Sequence, residues 1–248
     1  MSRTAFSTVR RESLSDSVYR QLADKILRGD LPAGDALPAE RELSEALGVN
    51  RGAVREAIKR LQQAGLVAVR QGGVSRVLDY QNEGGLELLP NLLVDASGRL
   101  NASVVRSIMA MRSSLAPDIA ATAARKGGAR LADELDALLV RMRADQADLQ
   151  ALQDHALAYW KKLVERGGNI AFRLAFNSMT KTYTQVWDAL RSVLADEFRD
   201  LDNLGAIARA VRAKDQNAAR EAGRRHVELG RAALDRALSV LQPEGEGA

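Results

Sequence analysis

The sequence predicts a mainly α-helical protein in which an N-terminal winged helix-turn-helix precedes an all-helical bundle. Two observations lead to this prediction. Residues 38–78 have the pattern of two short helices joined by a tight turn and followed by two short strands around a pair of glycines. From residue 101 onward apolar residues recur with helical periodicity, while only 4% of the chain is aromatic. With 248 residues, 46% of them hydrophobic, the chain is long enough for two domains with separate cores.

The first predicted domain covers residues 13–79 and follows a flexible arm over residues 1–12. Ser13 or Ser15 suits the N-cap of a first helix, because a serine oxygen accepts a backbone N–H of the first helical turn. This helix is expected to end near Arg28, where glycines and prolines interrupt the apolar pattern.

The next two helices are short and are joined by a tight turn. The second is predicted over residues 39–47 and ends at Gly48, since glycine readily adopts the left-handed conformation that closes a helix. Asn50 then caps a third helix, which Gly65 ends. This arrangement is typical of a helix-turn-helix, whose second helix lies in the major groove of DNA.

Two runs rich in β-branched residues, 66–70 and 74–78, follow the third helix. Gln71, Gly72 and Gly73 separate them, and a glycine pair permits the positive φ angles of a hairpin turn. We expect this hairpin to be a wing whose tip reaches the minor groove, where small residues allow close approach.

Three basic residues, Arg51, Arg55 and Lys59, share one face of the third helix. The N-terminal residues of such a helix contact base edges, and arginine can donate two hydrogen bonds to guanine. We therefore expect Arg51 and Arg55 to contact bases or adjacent phosphates, and Arg41 to contact a backbone phosphate. A solvated basic face on an ordinary helix is the alternative explanation of the three charges. The predicted DNA-binding residues are Arg41, Asn50, Arg51, Gly52, Arg55, Gln71, Gly72 and Gly73.

The net charge of +4 lies entirely in the N-terminal third of the chain. Residues 1–78 hold 13 Lys and Arg against 9 Asp and Glu, whereas residues 79–248 hold 23 of each. A local surplus of positive charge attracts a phosphate backbone, although a surplus of this size also arises by chance. Together with the helix-turn-helix pattern, it favours double-stranded DNA as a partner.

Several classes of protein are disfavoured by the composition. The chain has no cysteine and only two histidines, and it lacks a Ser/His/Asp arrangement, a P-loop and a dinucleotide fingerprint, so we expect no enzyme. No apolar run approaches the roughly 18 residues that a membrane span requires, and the N-terminal segment lacks the apolar core of a secretory signal. The sequence therefore predicts a cytoplasmic protein with no membrane partner.

A second domain is predicted over residues 101–242, after a linker over residues 80–100 that contains one short helical piece. Glycine pairs at 127–128 and 167–168, with polar breaks further on, divide the domain into six or seven helices. Residues 243–248 are expected to form a frayed tail.

The first domain carries a family resemblance. Residues 34–51 (GDALPAERELSEALGVNR) and 54–61 (VREAIKRL) resemble the winged-helix module of the GntR superfamily of bacterial transcription regulators, whose DNA contacts fall on Arg41, Arg51 and Arg55. The helical second domain is similar to the FadR subgroup. The segments that carry this second likeness are 79–93, 111–113, 159–169 and 177–183. The resemblance implies a homodimer on a palindromic operator, because paired modules mirror a two-fold axis.

Many members of this subgroup bind a divalent metal in the helical domain through one Asp and three His. Three of the four matching positions hold Ala156, Trp160 and Leu204 in this sequence. His226 is the one expected metal-binding residue that remains. One imidazole does not hold a metal by itself. The resemblance therefore implies no metal and no other cofactor, and His226 is expected to line a pocket or to be buried and hydrogen-bonded.

The fatty-acid-responsive members of the subgroup bind a long-chain acyl-CoA instead. Arg112 matches an arginine that lies near the CoA head group in that family, and such a charge suits an anionic ligand. The expected effector is a fatty acyl-CoA or a related organic acid. The alternatives are a different small carboxylate, or no ligand, with a helical domain that only dimerises; apolar interior residues are needed in any bundle. The predicted effector-binding residues are Arg112, Trp160, Phe176, Met179, Tyr183 and His226.

Overall fold

The structure is a computed structural model, and it divides into two compact units, one up to Arg99 and one from Leu100 onward. The residues that it describes are 13–69, 74–94, 98–184 and 186–241. The predicted arm (1–12), the predicted tail (243–248) and the predicted wing tip (71–73) lie outside the described residues.

The first unit consists of short helices and one hairpin. Its elements are α1 (Leu14–Leu27), α2 (Glu40–Leu47), α3 (Arg51–Gln63), β1 (Val67–Val69), β2 (Ser75–Val77), α4 (Tyr80–Glu83), a 3-10 turn (Leu86–Leu88) and α5 (Leu89–Leu93). Strands β1 and β2 are antiparallel, with Val67 opposite Val77. Strand β2 is one residue shorter at both ends than the sequence predicted, and β1 begins one residue later; Arg70, where β1 was expected to end, lies outside the described residues.

The caps of these helices follow from their sequence. The Ser13 hydroxyl accepts the backbone N–H of Asp16 at 3.1 Å and begins α1. Gly48 ends α2 with a φ of 64°, in the left-handed region that glycine occupies without a steric cost. Asn50 Oδ1 then accepts the N–H of Ala53 at 2.9 Å, so α3 begins where its side-chain cap was predicted.

One face of α3 is the centre of the first core. Val54, Ala57 and Leu61 are completely buried there and pack with α1. Burial of a Val or Leu side chain contributes about 1.5–3 kcal/mol, so this face fixes how α3 is held. Residues 80–94, assigned to a linker by the sequence, are partly folded onto the same core, where Leu88 is 2% exposed.

The second unit is helical throughout its described residues. Its helices are α6 (Ala102–Lys126), α7 (Ala129–Ala144), α8 (Leu149–Gly167), α9 (Ile170–Tyr183), α10 (Trp187–Arg191), α11 (Ala195–Phe198), α12 (Leu201–Ala213) and α13 (Gln216–Leu241). The mainly α prediction is thus confirmed, but the described residues of this unit form eight helices where six or seven were expected. None of the described helices is both long and apolar enough to cross a membrane.

Two differences explain the larger helix count. The break between α7 and α8 contains no glycine; Asp148 caps α8 by accepting the N–H groups of Gln150 and Ala151 at 2.9 and 3.1 Å. The segment between α9 and α12 forms two helices of only one turn each, too short for a periodic pattern. The long helices α6 and α13 pack against each other, with α8 and α12 beside them.

Candidate DNA-binding surface and effector cavity

Arg51 and Arg55 lie at the start of α3 and are exposed. Residues on the opposite side of the helix belong to the buried core, so the packing of that face turns the two arginines to solvent. Arg41, in α2, has a side chain that is 64% exposed and lies 3.6 Å from Glu45. An isolated ion pair at that distance and exposure contributes little to stability, which leaves Arg41 able to bind a phosphate.

Arg55 is held in place by a carboxylate of α2. Its Nη2 donates to Glu40 Oε2 at 2.9 Å, and its Nε lies 3.2 Å from both carboxylate oxygens. These hydrogen bonds raise the pKa of Arg55 and lower the pKa of Glu40. The ion pair with Glu40 orients the Arg55 guanidinium across the turn. A DNA base or phosphate would have to compete with Glu40 for the hydrogen bonds of this guanidinium.

Asn50 and Gly52 occupy the first turn beside Arg51. The Asn50 side chain caps the helix, and a Cβ placed on Gly52 would lie 3.2 Å from Asn50 Oδ1. A side chain at position 52 would thus crowd the cap. Gln71, Gly72 and Gly73, predicted to form the wing tip, lie outside the described residues.

The second unit contains a cavity of about 100 Å³ between α6, α8, α9 and the α10–α11 segment. Most of its lining is apolar. Of the predicted effector-binding residues, five line it together: Arg112, Trp160, Phe176, Met179 and Tyr183. The remaining lining residues are Leu115, Ala116, Ile119, Gln153, Ala156, Leu157, Thr180, Leu190, Leu194, Glu197 and Phe198.

The charged part of the wall is a buried ion pair between α6 and α11. Arg112 Nη1 donates to Glu197 Oε2 at 2.7 Å, and Nη2 donates to Glu197 Oε1. The two side chains are 17% and 2% exposed. Burial by itself would lower the pKa of Arg112, but the charge and hydrogen bonds of Glu197 outweigh it and raise that pKa. Arg112, predicted to meet an anionic head group, is therefore already paired with a carboxylate.

Tyr183 lies on the same wall. Its hydroxyl donates to Met109 Sδ at 3.2 Å. Burial raises the pKa of Tyr183 to about 12, with Arg112 acting in the opposite direction. The phenol therefore stays neutral at any physiological pH.

His226 on α13 is completely buried but is not among the lining residues. Its Nδ1 lies 2.9 Å from Asp200 Oδ2, and its Nε2 lies 3.7 Å from Glu197 Oε1. Burial would raise the pKa of Asp200, but hydrogen bonds from His226 and Asn203 lower it overall. His226 thus lies between the carboxylates of Glu197 and Asp200 behind the cavity wall; Nδ1 is hydrogen-bonded to Asp200, and the buried Nε2 has no hydrogen-bond partner in the part of the chain that the structure describes.

The residues at the expected metal-binding positions do not fit a metal ion. Ala156, Trp160 and Leu204 are buried apolar side chains, and the one imidazole, His226, already contacts Asp200 through Nδ1. Across the described residues, no group of three or more His, Cys, Asp or Glu is arranged to hold a metal.

Sequence reasoning missed Glu197, Gln153 and the other wall residues from the α10–α11 segment. Glu197 has no local signal, because its partner Arg112 lies 85 residues earlier in the chain. Gln153 sits in the middle of the otherwise apolar face of α8, where a buried polar residue normally has a partner. That position was the one signal available, and the partner is Arg191, whose Nε donates to Gln153 Oε1 at 2.9 Å.

Comparison with known proteins agrees with both units. Residues 14–77 match the family of bacterial regulatory proteins named gntR, and residues 107–229 match the FCD domain. The chain is 38% identical over 230 residues to the HTH-type transcriptional regulator Mce2R of Mycobacterium tuberculosis, covering 93% of this chain and 95% of that protein. The chain belongs to the GntR family. It is a transcription regulator rather than an enzyme, with a DNA-binding module and an FCD domain of the kind that binds small-molecule effectors.

Two further comparisons, at lower sequence identity, show what else this GntR-family chain resembles. It is 29% identical over 181 residues to the fatty acid metabolism regulator protein of Serratia proteamaculans, with 72% of each chain covered. The solved structure of Lar, which controls the expression of the Listeria monocytogenes agr system, superimposes with a TM-score of 0.58 at 18% identity. That superposition covers 92% of this chain and 99% of Lar, and it supports the fold.

Proposed function

We propose that this regulator binds a palindromic operator sequence-specifically as a homodimer, and that an effector in the FCD cavity controls the binding. In this proposal, Arg51 and Arg55 contact bases or adjacent phosphates. Arg41 contacts a backbone phosphate, and the wing tip, Gln71 to Gly73, enters the minor groove. Because its target is chromosomal DNA, we place the protein in the cytoplasm.

The observation that supports this proposal is the division of α3 into two faces. Val54, Ala57 and Leu61 are completely buried, while Arg51 and Arg55 are exposed at the N-terminal end of the same helix. A helix held from behind in this way presents its first turns to the major groove. The solvated basic face of an ordinary helix is disfavoured by the GntR match over the same residues.

We propose a fatty acyl-CoA, or a related compound with an aliphatic chain, as the effector. The support is the largely apolar cavity and the likeness to a fatty acid metabolism regulator protein. A different small carboxylate is the alternative. A helical domain that only dimerises is less well supported, because a bundle without a ligand would not need an internal space of about 100 Å³.

The DNA-binding part is tested with an operator selected from a random double-stranded DNA pool by the full chain. Fluorescence anisotropy on that operator should give about 5- to 150-fold weaker binding for Arg51→Ala and for Arg55→Ala, since a bidentate base contact contributes about 1–3 kcal/mol. Lys25→Ala, an exposed basic residue on α1, is the matched control and should leave the affinity unchanged. Unchanged binding in both arginine variants would show that α3 is not the recognition helix.

The dimer and the effector need separate measurements. Sedimentation velocity of the protein with the selected operator should give two chains for each DNA duplex, and a selected site without inverted symmetry would contradict the proposal. A thermal-shift screen with acyl-CoAs identifies the effector, because a ligand of the folded state raises Tm by mass action. A true effector must also change DNA affinity in the anisotropy assay.

A further inference from the structure

Most polar groups of the cavity wall are already engaged by other protein groups. Trp160 Nε1 is an exception, a buried N–H donor without a hydrogen-bond partner among the described residues, which can donate to the oxygen of an uncharged ligand as well as to a carboxylate. Arg112 and Glu197 pair with each other through two hydrogen bonds, so the charged part of the wall adds no net charge. Gln153 Oε1 accepts a hydrogen bond from Arg191 Nε at 2.9 Å. Thr180 Oγ1 donates to the Phe176 carbonyl at 2.9 Å, and the Tyr183 hydroxyl donates to Met109 Sδ at 3.2 Å. A ligand that enters this space therefore meets a neutral and largely apolar wall.

Glu197 has little freedom to release Arg112. Its side chain is 2% exposed, and a Cβ placed on Gly230 of α13 would overlap its carboxylate. His226 Nε2 lies 3.7 Å from Glu197 Oε1. A displaced carboxylate would thus remain buried, and a buried charge without its partner is strongly destabilising.

An ionised ligand would disturb this balance. A carboxylate could bind Arg112 only by displacing Glu197, or it would add a third charge to a neutral pair. An uncharged chain leaves the pair intact and gains from the burial of apolar surface. The two kinds of ligand differ in charge, so the ion pair discriminates between them even when their shapes are alike.

We propose that the cavity binds an uncharged aliphatic ligand, or the uncharged aliphatic segment of a larger one such as an acyl thioester, and that Glu197 excludes free carboxylates. This inference rests on the proposed function, since it defines the chemical class of the effector for the same cavity. The space of about 100 Å³ favours short chains over long ones as probes.

The test compares hexan-1-ol with hexanoate at pH 7.5, because the two share a chain length and differ in charge. Isothermal titration of the full chain should give at least about tenfold tighter binding of the alcohol. Glu197→Gln keeps the shape of the side chain and removes its charge, which leaves Arg112 able to pair with the ligand. Hexanoate should then bind on the order of 100-fold more tightly than it binds the wild type.

The control is Asp196→Asn, which neutralises the exposed carboxylate next to Glu197 on the same helix and should leave both affinities unchanged. If Glu197→Gln does not fold, the double variant Arg112→Met with Glu197→Met replaces the pair by apolar side chains, a change that buried pairs often tolerate. It should still bind the alcohol and reject hexanoate.

Three results would overturn the proposal: equal or tighter binding of hexanoate to the wild type, a Glu197→Gln variant with an unchanged preference, or binding of neither probe. None of these three results contradicts the DNA-binding function if the anisotropy assay still detects operator binding. Loss of operator recognition with an intact preference for the alcohol would instead contradict the proposed function and leave the charge selectivity of the cavity in place.

Discussion

Replacing Gly230 by alanine is expected to destabilise the protein through its effect on a buried ion pair. Gly230 lies inside α13, where alanine ordinarily stabilises a helix by about 1 kcal/mol relative to glycine. Here the added Cβ would overlap the Glu197 carboxylate and lie 2.9 Å from Glu197 Cδ and 3.1 Å from Leu194 Cδ2. Glu197 would have to move, and it is the partner of Arg112.

The magnitude follows from these opposing effects. Loss of one partner from a buried pair costs about 3–5 kcal/mol, and the helix gain of about 1 kcal/mol offsets part of it, which leaves a net destabilisation of about 2–4 kcal/mol. For a chain of this length, that change corresponds to a fall in Tm of roughly 5–15 °C. Urea denaturation and thermal melting of the full chain measure it directly.

The sharper measurement repeats the substitution in a Glu197→Ala background. With the carboxylate gone, Gly230→Ala should become stabilising by up to about 1 kcal/mol, so the sign of its effect should reverse. Gly205→Ala on α12 is the matched control: its nearest neighbour is Arg209 Nη1 at 3.2 Å, the mobile end of a long side chain, and it should stabilise both backgrounds. A destabilisation of equal size with and without Glu197 would refute the role assigned to the ion pair.

Three further predictions concern the cores and the cavity. Leu61→Ala, at a completely buried position of α3, should lower the free energy of unfolding by about 2–5 kcal/mol in urea denaturation. Because the pKa of Asp200 is lowered in the folded state, its contribution to stability is present above its ordinary value of 3.8 and is lost as the pH falls through the lowered pKa. Asp200→Asn should therefore weaken the pH dependence of urea midpoints below pH 5, while Asp202→Asn, its exposed neighbour, should not. Ala156→Leu, which adds a larger side chain to the cavity wall, should abolish the hexan-1-ol signal and leave operator binding intact.

Much of the first unit is predictable because its determinants are local. Asn50 sits where a side-chain cap is needed, Gly48 adopts the left-handed conformation that ends α2, and the apolar residues of α3 recur at helical spacing. Each of these features depends on residues within about one or two turns of each other. The basic residues Arg51 and Arg55 could be assigned to the exposed face for the same reason.

The cavity is less predictable because its wall depends on contacts between distant segments. Phe176, Met179 and Tyr183 were predicted from the resemblance, and the structure places all three on the cavity wall. Glu197 was missed because a buried carboxylate has the same local sequence pattern as an exposed one until its partner is known. Arg112 was identified by resemblance alone, and resemblance does not reveal the carboxylate that neutralises it.

Two carboxylates beside His226 are contacted by other protein groups. Glu197 and Asp200 lie on either side of His226, and their side chains are 2% and 10% exposed. Two such carboxylates require positive charge nearby, and Arg112 supplies it to Glu197 while the imidazole N–H of His226 supplies a hydrogen bond to Asp200. In the proposal made above, Arg112 is therefore the structural partner of Glu197 and is not released to a ligand head group. A family fold can be retained in this way while the chemistry of its ligand site changes, and the effector is better inferred from the charge balance of this cavity than from the ligands of related proteins.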